Sequence, residues 1–373
     1  MFNKITHEQN LAKMLVNYSC SVKKGEKVLI TYSDTSSSFI ETLIEEITAV
    51  GAIPLVYRLD KRIKRRLLLN SSDEMFNYYR EMVSPIMESC DAVILIGGSL
   101  NDFELSDVPS TTFSKYSKLY VEPVHFKIRC SKKWVLLRYP TYSFAQSSHM
   151  SSEKFAEFFF KVCTLDYASL DIKMNPLKEL MERTDKVRIE TPITNLKFSI
   201  KGLPAIKCSG QCNIPDGEIY TAPVKDSING TIVFNVPAVN NGVEFNNIRL
   251  TFENGKIIDF DCNNNEKFRE ILDTDEGSRY MGEFAFGLNP YCVESVKDIL
   301  FDEKMSSSIH MAIGSSYEDC FNGNTSAIHL DLIQSHTPSN GGGKIYFDDV
   351  LISENGKFIL PNLVALNSEN LLK

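Results

Sequence analysis

The chain has 373 residues, a length that suggests two domains rather than one. Hydrophobic residues make up 43% and charged residues 24%, a balance that suits a soluble globular protein and is too apolar for a disordered one. Forty basic against forty-eight acidic side chains give a net charge of −8, which argues against nucleic acid as the main partner, because phosphate neutralisation calls for a basic surface. No apolar run reaches the ~18–20 residues of a membrane helix, and MFNKITHEQN lacks the apolar core of a signal peptide. Nine cysteines, spread from Cys20 to Cys320 without a spacing framework, fit reduced thiols in a cytoplasmic protein.

The first half reads as strands alternating with helices. Residues 7–19 carry Leu11, Met14, Leu15 and Tyr18 on one helical stripe. A turn at Gly25 leads into a strand at Val28–Tyr32, and serines 36–38 are placed to cap a helix that stops at Gly51. IPLVYRL, AVILIGG and WVLLRYP are further apolar strands. Residues 150–170 read as one long helix opened by a serine cap. Gly97-Gly98 reads as a sheet-to-loop turn. In RLDKRIKRRLLL the basic residues interleave with Ile63 and Leu67 as on a helix with one solvated face. Trp134 is expected to pack in the sheet. Strands of this type alternating with helices predict an α/β domain with a parallel sheet over residues 1–185.

From about Asp185 the pattern changes. KVRIETPITNLKFSIKG alternates like a pair of antiparallel strands, and Asn254-Gly255 and Asn355-Gly356 sit between strand-like runs as hairpin turns. Residues 186–373 are predicted to form an α+β, strand-rich domain. HExxH, GxSxG and phosphate-loop motifs are absent.

Three of the six histidines fall at positions 310–336. In SAIHLDLI, His329 and Asp331 share one face of a strand, opposite Ile328 and Leu330. Such a pair is costly to bury without partners; a metal would satisfy both, as would a plain His–Asp hydrogen bond in a core. His310 precedes a glycine turn in IHMAIGSSYED, Glu283 stands in GEFAFGLNP, and Glu218 stands in NIPDGEIYTAP. Together these carboxylates and imidazoles suit a two-metal hydrolytic site. Cys208 and Cys212 lack two further ligands nearby and read as free thiols; His336, in SHTPSN, reads as a surface or substrate-channel residue.

NIPDGEIYTAP, SRYMGEFAFGLNP, IHMAIGSSYED, SAIHLDLI and GKIYFDDVLI, in this order, resemble the M29 family of metallo-aminopeptidases, strongly from about Asn213 to Phe358. The resemblance implies a cytoplasmic exopeptidase acting on peptides with a free N-terminus, homodimeric, with two divalent metal ions (Zn, Co or Mn) in the C-terminal domain. By the same resemblance Glu218, Glu283, His310, His329 and Asp331 are metal ligands, and Glu303 a further one, although its spacing to His310 departs from the thermophilic members. Gly217 stands where many members carry a glutamate. Glu283 is implied as bridging ligand or general base, and Tyr317 as hydrogen-bond donor to the transition state. The implied mechanism acidifies a water on the metals, passes its proton through Glu283 or a neighbouring carboxylate to the leaving amine, and steadies the oxyanion with Tyr317. Two alternatives remain: another dinuclear hydrolase of phosphoesterase type, disfavoured because Arg279 and Lys344 are the only basic residues in the motifs, and an inactive scaffold.

Overall fold

The structure is a computed structural model that describes residues 4–240 and 242–373. The chain divides into two compact units: residues 1–164 with 210–215, and residues 165–209 with 216–373.

The first unit is built on a five-stranded, fully parallel sheet, with Ile53–Arg58, Lys27–Ser33, Ala92–Gly97, Lys133–Arg138 and Asn213–Ile214 in spatial order. Val28 pairs with both Pro54 and Ala92, so the apolar run of residues 28–30 is central and buried. The Ser37–Ala49 helix buries Phe39, Ile40, Leu43 and Ile47, the stripe expected of a helix covering a sheet. Its serine run does not cap it: Ser36 Oγ bonds Ser38 Oγ at 2.7 Å instead of a backbone amide. The basic helix Lys61–Leu69 is capped by Asp60 and buries only Leu68. Trp134 packs beside Leu29, Met87, Cys90, Val93 and Val124.

The long helix predicted for residues 150–170 is two helices. Ser152–Cys163 is capped by Ser151, as expected, and ends where the Thr164 hydroxyl bonds the carbonyl of Phe160. Tyr167–Arg183 starts afresh with Asp166 accepting from the amide of Ser169. Both polar side chains compete for backbone groups, which breaks the apolar periodicity into two segments. The second unit opens in this break, at Leu165.

That unit holds two main sheets. The larger has eight antiparallel strands; its hairpins turn at Asn254-Gly255 and Asn355-Gly356, all four residues at positive φ. The smaller has five antiparallel strands in the order His329–Ser335, Ser308–Gly314, Met281–Gly287, Glu218–Thr221, Ile206–Cys208. Its back face is apolar: Phe284 packs on Phe198, and Phe286 on Phe347 and Phe358, all three from the larger sheet. All nine cysteines are free thiols. Among the described residues no helix is long and apolar enough to cross a membrane.

Candidate metal centre

Alternation along the five-stranded sheet puts the phenylalanines on one face and the chemistry on the other. Ala285 pairs with both Tyr220 and His310, and His310 with Ile333, so these share the front face. Glu283 and Asp331 flank Ala312 on the same face, and Glu218 lies opposite Gly287. Four neighbouring strands thus deliver Glu218, Glu283, His310, His329 and Asp331 to one patch.

Their side chains form two groups that share one residue. Glu218, Glu283 and His310 make the first, and Glu283, His329 and Asp331 the second. Glu283 reaches in both directions: Oε1 lies 3.2 Å from His310 Nε2, and Oε2 lies 3.2 Å from His329 Nε2. His310 Nε2 is also 3.4 Å from Glu218 Oε2, and His329 Nε2 is 3.4 Å from Asp331 Oδ1. Charge-assisted hydrogen bonds run shorter, ~2.7–2.9 Å. Ligands bonded at ~2.0–2.1 Å in a tetrahedron lie ~3.4 Å apart, close to the spacing found. Glu218 Oε2 and His329 Nε2 are buried, with no hydrogen-bond partner among the described residues. A buried carboxylate oxygen such as Glu218 Oε2 calls for a cation, and with the ligand-like spacing around it the residues fit a metal.

The rings are aimed by the fold. His329 Nδ1 donates to the carbonyl of Ser315 at 2.7 Å, leaving Nε2 directed at Glu283 and Asp331. That carbonyl comes close because residue 282 is glycine: a Cβ there would lie 2.3 Å from Ser315 O. Burial alone would lower His310, but Glu283, Glu218 and Asp331 outweigh it and raise it to about 9. Burial likewise opposes the charged form of His329, and Asp331 and Glu283 raise it to about 12. Burial would raise Glu283, yet the two imidazoles bring it down to about 2.

Sequence reasoning missed Lys304, which is wholly buried in this cluster. Its Nζ is 2.5 Å from Glu218 Oε1, 2.7 Å from Glu303 Oε1 and 3.7 Å from Asp216 Oδ1. Burial disfavours the ammonium, but Glu218, Glu303 and Asp216 hold it firmly charged. The only available signal was its place beside Glu303. Arg279 and Lys344, the basic residues within the motifs, pair with Asp273 and Glu354 and stand outside both groups of three. Gly287 makes room for the lysine segment: a Cβ there would lie 2.1 Å from Met305 O and 2.9 Å from the carbonyl carbon of Lys304.

Glu303 stands at the edge of the cluster, paired to Lys304 and outside both groups of three. Burial, partly offset by Lys304 and reinforced by Glu218 and Asp331, raises it to about 8. Tyr317 is half-exposed at the rim, its ring 4.7 Å from that of His329 and 5.3 Å from that of Tyr220. Partial burial beside the cluster, together with the nearby charges of Glu283 and Asp331, keeps the phenol protonated. Gly217 brings no carboxylate; the acid of that turn is Asp216. His336 is not a surface residue but is buried, its Nε2 2.8 Å from Gln334 Oε1. The amide nitrogen of Gln334 is committed to Thr194 and the carbonyl of Val233, so the histidine is the donor.

A family model described as thermophilic metalloprotease (M29) matches residues 6–358. The chain belongs to that family. It is therefore a member of a family of metal-dependent hydrolases, as the ordered motifs implied. This M29 protein is 23% identical to aminopeptidase PepS of Streptococcus thermophilus over 94% of this chain and 98% of PepS. It is 39% identical to aminopeptidase AmpS of Bacillus subtilis (strain 168) over 112 residues, a match that spans 26% of AmpS. AmpT from Thermus thermophilus has the same fold, with a TM-score of 0.81 at 19% identity over 95% of this chain and 99% of that one. A 2,5-dihydroxypyridine dioxygenase from Pseudomonas putida KT2440 shares the fold as well, with a TM-score of 0.65 at 13% identity over 98% and 100% of the two chains.

Proposed function

We propose that this M29 protein is an aminopeptidase that removes N-terminal residues from peptides at a centre of two divalent ions. The observation that carries the reading is the sharing of Glu283 between two groups of three ligands, one carboxylate oxygen facing each histidine. Glu218, Glu283 and His310 would hold one ion, and Glu283, His329 and Asp331 the other. Bound ions of this kind supply Lewis acidity and a water of lowered pKa.

The chain's own residues divide the remaining work. Both oxygens of Glu283 are turned to histidines, which suits a bridging ligand and leaves proton carriage to a neighbour. Glu303, at the edge beside Lys304, is that neighbour in this reading, in place of a sixth ligand role. Tyr317 offers a protonated phenol at the rim and would donate to the developing oxyanion. The positive α-amino group of a peptide finds carboxylates here, while an acylated terminus has no charge to place among them. The same reading takes residues 186–373 as the catalytic domain and the protein as a cytoplasmic homodimer.

The test is hydrolysis of aminoacyl chromogenic amides by full-length protein, with chelator and with Zn, Co or Mn restored. Activity should vanish on chelation, return with metal and require a free amine. Full activity in metal-free protein, or equal cleavage of N-acetylated substrates, contradicts the assignment. Light scattering should give twice the 42.2 kDa chain mass.

A further inference from the structure

Beside the two proposed ion positions lies a third group with metal-like spacing. Cys208, Asp216 and Glu218 bring one ligand atom each to within 4.8 Å of one another. Cys208 is directly opposite Glu218 in the strand pair, and Asp216 is two residues before it, with its amide donating to Tyr167 Oη. The backbone therefore fixes this group as firmly as the other two. What differs is the lysine: its ammonium contacts Glu218 and approaches Asp216, and the Sγ atom faces the same charges.

We propose that Lys304 is a resident cation that fills this third position, confining the centre to two ions and holding Glu218 with Oε2 toward His310. The geometry divides Glu218 between two tasks. Oε1 forms an ion pair with the lysine at 2.5 Å, held by charge and not by a directed hydrogen bond, while Oε2 is directed to His310 at 3.4 Å and has no hydrogen-bond partner among the described residues. A carboxylate free to rotate could chelate with both oxygens or turn toward Cys208. One gripped at Oε1 by a buried ammonium presents a single oxygen to the ion. The lysine in turn cannot leave, because its backbone is seated on Gly287 and its side chain is fully enclosed. Loss of the ammonium would leave a thiol and two carboxylates facing one another in a buried site, a donor set that binds soft and borderline divalent ions once the thiol gives up its proton.

This inference rests on the two-ion reading, and the experiment separates the two. Metal-free full-length protein is titrated with cobalt(II), and bound metal is counted by elemental analysis while the near-ultraviolet thiolate-to-cobalt band is followed. The wild type should bind two ions and show no thiolate band even with excess cobalt. Lys304→Met should bind a third ion and develop the band, and adding Cys208→Ser should remove the band again. A thiolate band or a third ion in the wild type overturns the proposal without reference to any variant. So does a Lys304→Met protein with wild-type circular dichroism that stays at two ions without the band. Should methionine prevent folding, Lys304→Gln carries the same expectation, and the wild-type titration still decides. Wild-type protein that binds no cobalt overturns the two-ion reading and this inference with it; two ions in every protein overturns this inference alone.

Discussion

Tyr317 separates chemistry from packing at the scale of one atom. Its ring is half-exposed, so removing the hydroxyl should change stability by less than ~0.5 kcal/mol. If the phenol donates only as charge develops, Tyr317→Phe should lower kcat by ~10²–10³ while KM and bound metal stay put. A kcat within threefold of wild type removes it from the mechanism. His336 gives the opposite kind of test, because it touches no ligand and reports on stability. Burial lowers it to about 4, below the ordinary value of 6.5. Between those two values the unfolded chain binds the extra proton, so stability falls as pH drops from ~6.5 to ~4, by up to ~3 kcal/mol. His336→Gln should flatten that part of the stability curve, as measured by urea unfolding at several pH values. An unchanged slope would mean that another group sets the acid limit.

At the scale of the strand, the sequence was most informative where period-2 alternation alone decides direction. His329 and Asp331 had to share a face, and Glu283 had to oppose Phe284 and Phe286, once each segment was a strand. Which strands were neighbours was not legible in the same way, since cross-strand order depends on contacts far apart in sequence. The resemblance carried by the five ordered motifs implied that these residues act together, and the strand order itself came only with the fold. Lys304 escaped notice because a lysine in a charged run such as FDEKM is ordinarily solvated, and its burial depends on Asp216 and Glu218, two acids far away in sequence, as well as on its neighbour Glu303. His336 misled for the converse reason: its turn-like surroundings gave no sign of Gln334 waiting beneath. The glycines flanking Glu283 were visible, but their purpose was not. Gly282 admits the carbonyl of Ser315, which aims His329. Gly282→Ala should push residues 314–315 outward and loosen that ring. Loss of such an orienting partner costs ~10–100-fold in metal affinity. Calorimetric titration of metal into the variant should show that loss, and an affinity within threefold of wild type would argue that Ser315 does not orient the ligand.

Over the whole molecule, the balance of buried charge links metal to folding. Asp216, Glu218, Glu283, Glu303 and Asp331 bring five carboxylates to one sheet face, against the single ammonium of Lys304. Counted as formal charges, with the imidazoles neutral as ligation requires, five carboxylates against one ammonium leave a surplus of four, the charge of two divalent ions. Without ions the second unit must hold like charges together in a poorly solvated patch, a surplus that protons on the imidazoles and on Glu303 ease only in part. Ions that bind the folded chain and not the unfolded one stabilise it by RT ln(1 + [L]/Kd) per site, ~2.7 kcal/mol at a hundredfold excess over Kd. Two sites would give ~5 kcal/mol, which for a unit of this size raises Tm by on the order of 10 °C. Scanning calorimetry of the full chain, chelated and then reloaded with metal, should show that rise and its dependence on metal concentration. A Tm indifferent to chelator would mean that the acids are balanced by some other means, and the charge argument for two ions would fall with it.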